Sequence, residues 1–178
     1  MRADTDEEAC IREGIAIHSL QKQANKIRKE SPEEARNLDL RIAIKLRDLI
    51  QASFHLYSAS RPSDPRQNIT THSLTRISPE FFSLNDLPSK TSGQEKPSTV
   101  DMCLPPWLTP VIEVYLDRYQ ALIHPGTDLL FPADERRKQA NASVPHPGPA
   151  RKGNPYSATA RLTKKFFGRA ICANNLRC

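Results

Sequence analysis

The stretch LPPWLTPVIEVYLDRYQALIHPGTDLLFP, residues 104–132, decides the fold. Pro105-Pro106 ends whatever precedes it, because proline cannot donate to a ladder or sit inside a helix. From Trp107 to Ile123, Leu108, Val111, Ile112, Tyr115, Leu116, Tyr119 and Leu122 recur at helical spacing and make one apolar face. His124-Pro125-Gly126 stops that helix. Leu129-Leu130-Phe131-Pro132 follows as an apolar anchor closed by a proline. A helix, a turn and a short buried return are therefore expected here.

Upstream, Ser31-Pro32-Glu33-Glu34 has the form of a helix start: a capping hydroxyl, proline at the first helical position and a carboxylate three residues on. Ala35, Leu38, Ile42, Leu46, Leu49, Ile50, Phe54 and Tyr57 then share a face at period 3.6. A break is conceivable near Asn37–Asp39, and the helix must end by Arg61-Pro62. Residues 6–29 read as an earlier helix on a thin stripe of Ile11, Ile15, Leu20, Ala24 and Ile27, which needs a partner surface. Residues 60–79 read as loop with at most a short helical turn. Phe81–Leu84 and Thr99–Leu104 are strand candidates joined by a turn that carries Lys90 and Gly93. Residues 133–155, with Pro145-His146-Pro147-Gly148-Pro149, read as a flexible loop, and a last helix is expected over 157–167. The class is mainly α with a small antiparallel β-hairpin.

Composition narrows the partners. Among 178 residues the formal net charge is +6, with 15 prolines. The excess is concentrated at the end, where ten Arg and Lys between 135 and 178 face Glu135 alone. Such a third suits a polyanion, although a solvated face would have the same composition. The opening residues are acidic and no apolar run reaches the ~20 residues of a membrane span, so a cytoplasmic chain without a membrane partner is expected. Cys10, Cys103, Cys172 and Cys178 form no Cys-x-x-Cys pair, which argues against a zinc site. With no phosphate-cradling glycine loop and no nucleophile–base pair, neither cofactor nor metal is expected.

The order of these parts resembles the catalytic domain of the tyrosine recombinases, the phage-integrase family. Leu104-Pro105 entering the helix, Tyr115-Leu116-Asp117-Arg118-Tyr119 and Leu130-Phe131-Pro132 carry the likeness. Pro88-Ser89-Lys90-Thr91 stands where the family's hairpin presents a lysine, and Pro65-Arg66-Gln67-Asn68 follows the long helix as the first arginine motif does. Asn174-Asn175-Leu176-Arg177 stands at the second, with asparagine in the place of histidine. The resemblance spans about residues 38–178, an incomplete catalytic domain, and leaves 1–37 as an N-terminal helical arm.

What the resemblance implies is phosphoryl transfer on DNA. Arg66 and Arg177 would clamp the non-bridging oxygens, and Lys90 would protonate the leaving oxygen. Lys90, Arg151, Lys152, Lys164, Lys165 and Arg169 would contact the phosphate backbone. The departures matter: no carboxylate follows Arg66 closely, and the family's tyrosine nucleophile lies beyond the second arginine motif, past Cys178. Strand cleavage by this chain alone is therefore not expected, and a DNA-binding remnant of a recombinase is. The competing reading is a non-enzymatic helical module that associates with itself or a protein partner through exposed apolar surface.

Overall fold

The computed structural model describes residues 2–58, 69–86, 100–132, 160–161 and 164–165. Helix α1 (Arg2–Ile27) and helix α2 (Pro32–Ser58) form a hairpin. Its turn is closed by the amides of Glu30 and Ser31 donating to the carbonyl of Ile27, at 3.0 and 2.8 Å. The Ser31 carbonyl then accepts from the Ala35 amide at 3.0 Å and starts α2, which runs unbroken through 37–39.

The seam of α1 differs from the expected stripe. Cys10, Glu13, Ile17 and Ala24 are buried and Leu20 is half-buried, a 3-4-3-4 spacing that lies along one neighbouring helix. Ile11 and Ile15 point outward, 44% and 67% exposed. The cause is Glu13, which occupies a seam position and finds its cation, Lys45, across the interface at 2.6 Å. A carboxylate inside an apolar repeat hides the true phase.

Helix α2 is the centre of the molecule. Every residue from Leu46 to Phe54 is buried, so its second half is enclosed on all sides rather than on one face. Among its polar residues there, Ser53 and the Arg47–Asp48 pair find partners, while the Gln51 side-chain oxygen has none. Ser53 donates to the Leu49 carbonyl at 2.9 Å, and Arg47 pairs with Asp48.

The sheet has three antiparallel strands in the order β1-β2-β3: β1 (Leu74–Ser78), β2 (Phe81–Asp86) and β3 (Val100–Cys103). Strand β1 corrects the expectation of loop over 60–79 and turns the expected hairpin into a three-stranded sheet. The short helical turn expected there is Thr71–Ser73. Pairing of Leu74 with Leu84 and Leu84 with Met102 fixes the register, with a bulge between Arg76 and Ser78.

The helix expected at 107–123 is a composite rod. A 3₁₀ turn (Pro106–Leu108) leads into α3 (Thr109–Val114), a π turn (Tyr115–Tyr119) and α4 (Gln120–Ile123). Leu108, Ile112, Tyr115, Tyr119 and Ile123 are the buried positions. Two successive steps of four, 115 to 119 to 123, would drift about 80° in an ideal α-helix at 100° per residue. The wider π turn absorbs that drift, keeping both tyrosines and Ile123 on the core. Leu122 is thereby turned outward, against expectation. Gly126, at φ +76°, takes the left-handed conformation that ends the rod.

Beyond the rod, the chain returns across the core. Leu130 and Phe131 are buried, and Phe131 meets Phe54 edge to face with ring centroids 5.4 Å apart. The Leu130 amide donates to the Ile69 carbonyl at 2.7 Å, and the Thr71 amide to that of Asp128 at 2.8 Å. This return docks the chain that follows α2 onto the chain that follows the rod.

Candidate nucleic-acid interface

Of the residues expected to contact phosphate, Lys164 and Lys165 are among the described residues. Arg66 stands three residues before the buried Ile69, in the 59–68 connection between α2 and the sheet, and lies outside the described residues. Lys90 falls between the paired strands β2 and β3 and also lies outside them, as do Arg151, Lys152, Arg169 and Arg177. The expected loop at 133–155 lies wholly outside. Of the expected helix over 157–167, Ala160, Arg161, Lys164 and Lys165 are described, and they are helical.

Those four residues show how the C-terminal segment meets the core. Lys164 is exposed. Lys165 pairs with Glu13 on α1, and Arg161 pairs with Asp48 on α2. Each acid is also held from within. Glu13 takes Lys45 at 2.6 Å, and Asp48 takes Arg47 at 2.8 Å. Arg47 further donates to the Pro132 carbonyl at 2.9 Å, so this network joins α2, the post-rod return and the C-terminal segment. Sequence reasoning missed Glu13, Arg47, Asp48 and Arg161. The available signal was an Arg-Asp pair, Arg47-Asp48, inside an otherwise apolar run of a helix, where charges remain only if paired.

The tyrosines of the described region are structural. Tyr115 and Tyr119 are buried, and the Tyr115 hydroxyl donates to the Leu130 carbonyl at 2.8 Å. Tyr57, half-buried, accepts from the Trp107 indole N–H at 3.2 Å. Tyr156 lies outside the described residues. Burial is the main force raising the Tyr115 phenol above its ordinary range; Arg47 opposes it and Asp48 adds to it. The folded chain therefore keeps the proton where the unfolded chain, at an ordinary pKa near 10, loses it. Stability should be fully present below about pH 10 and decline as pH rises above it. Urea midpoints at pH 8 and pH 11 measure this, and Tyr115→Phe should remove much of the decline.

Arg76 is a second arginine that structure explains without a ligand. It pairs with Glu113, donates to the carbonyls of Ser78 and Pro79 at 3.2 and 2.8 Å, and lies over the Phe82 ring. Its guanidinium ties the β1–β2 turn to α3. Among the described residues, no group of three or more His, Cys, Asp or Glu is placed to hold a metal ion, and no helix is long and apolar enough to cross a membrane.

The described residues form a helical body around α2 with a small antiparallel sheet. Among solved structures, the chain is similar to XerH site-specific recombinase bound to its difH substrate in a pre-cleavage complex, with a TM-score of 0.53 and 11% identity. The likeness covers 90% of this chain and 38% of that one, so the chain spans well under half of its neighbour's length. No protein-family model and no curated protein matches the sequence. At this identity the likeness establishes the fold.

Proposed function

We propose that this chain is a DNA-binding member of the recombinase-like fold that holds the phosphate backbone without cleaving it. The observation that carries the reading is the fold's likeness to a recombinase seated on DNA, on a chain whose C-terminal third is strongly basic. Lys90, Arg151, Lys152, Lys164 and Arg169 are the proposed phosphate contacts, with Arg66 and Arg177 as remnants of the two arginine clamps. These residue types neutralise phosphate without reading bases, so sequence preference should be weak. Cleavage would require a nucleophile, and the three described tyrosines are occupied in packing and hydrogen bonds.

Fluorescence anisotropy on two unrelated 25-base-pair duplexes at low salt tests this. Binding to both with similar affinity is expected, together with no covalent protein–DNA adduct on nicked duplexes. Absence of binding at low salt, or accumulation of an adduct, would contradict it. The alternative of a helical interaction module draws support from Ile11 and Ile15, which stand one turn apart on the outer face of α1. Association that grows with protein concentration, without DNA binding, would favour that reading.

A further inference from the structure

We infer that Glu13 and Asp48 act as internal stand-ins for phosphate, clamping two cations of the C-terminal segment until DNA competes for them. The inference rests on the proposed DNA binding. Arg161 and Lys165 lie four residues apart, one helical turn, and each reaches a different buried carboxylate on a different helix. The acids are largely enclosed: the side chain of Glu13 is 4% exposed and that of Asp48 12%. The cations are half in water, Lys165 at 48% and Arg161 at 55%. Lys164, beside them, is exposed.

The second cation on each acid makes the clamp reversible. When Lys165 leaves, Glu13 retains Lys45; when Arg161 leaves, Asp48 retains Arg47. Neither carboxylate is left as an unpaired buried charge, which is the outcome that ordinarily makes breaking such a pair expensive. The half-exposed side of each pair is screened and weak by itself. A dense array of phosphates is then a competent rival, because DNA binding is driven by release of its condensed counterions. The clamp also fixes where the segment rests in the absence of DNA, across the α1–α2 hairpin. The basic third would accordingly bind DNA with fewer cations than its sequence carries until the clamp opens.

The test compares the salt dependence of duplex binding for the full chain, Glu13→Gln, and Glu13→Gln with Lys165→Gln. Glu13→Gln is expected to bind more tightly, because Lys165 no longer has to be taken from Glu13, with the slope of log K against log salt unchanged. Adding Lys165→Gln should cancel that gain and make the slope shallower by about 0.9, one phosphate contact fewer. Equal affinity of Glu13→Gln and the unsubstituted chain, on a chain that does bind DNA, overturns the clamp alone; no binding by any variant overturns the DNA reading and the clamp with it. Reductive methylation of the unsubstituted chain needs no substitution and so stands even if Glu13→Gln misfolds. Lys165 should label more slowly than Lys164 at low salt, and the difference should shrink at high salt. Equal labelling at low salt overturns the clamp.

Discussion

Replacement of Phe131 by alanine should lower the free energy of unfolding by about 3–5 kcal/mol, the range for removing a buried aromatic side chain. Phe131 is buried against Phe54, in the segment that also supplies Leu130 to the core. Its ring therefore joins the centre of α2 to the return after the rod. The hydrogen bonds from Leu130 to Ile69 and from Thr71 to Asp128 lie next to it. A cavity here would loosen the very crossing that holds the ends of two connections together. Against a typical domain stability of about 5–15 kcal/mol, the loss would be visible as a large fall in the urea midpoint. A midpoint within experimental error of the unsubstituted chain would show that the return does not pack as described.

Arg47→Ala should also be damaging, at about 1–3 kcal/mol, because a buried donor is removed while its acceptors stay. Asp48 would face only the half-exposed Arg161, and the Pro132 carbonyl would lose its donor. The effect is separable from lost packing by a double-mutant cycle. Arg47→Ala with Asp48→Ala should cost clearly less than the sum of the two single changes, since the residues are in direct contact. Strict additivity, measured by denaturant unfolding, would rule out the pair as the source of the loss.

The parts that sequence made legible are those whose signals are local. The Ser31-Pro32 start of α2, the double proline before the rod, its end at His124-Pro125-Gly126 and the buried Leu130-Phe131 step all stand where local chemistry puts them. Strand β1 was hidden because it gains little from burial. None of Leu74–Ser78 is fully buried and Ile77 is 57% exposed, so no alternation marks it, and pairing with β2 defines it. The phase of α1 was hidden by Glu13, a charge on the seam whose partner lies 32 residues away. The C-terminal clamp could not be read at all. Its pairs join residues 113 and 152 apart, and only the folded hairpin of α1 and α2 brings the acids to them. In Lys165 the two views differ in kind: a solvated phosphate contact by composition, and a partner of Glu13 in the fold.

The central claim is a recombinase-like scaffold that holds DNA by its phosphates. Its most direct test is the equilibrium constant for a random-sequence duplex measured from 50 to 300 mM salt. Log K should fall linearly with log salt, with a slope of about −0.9 for each phosphate neutralised. Lys164→Gln should make that slope shallower by about one such contact. A flat salt response, or a slope indifferent to Lys164, would contradict the account.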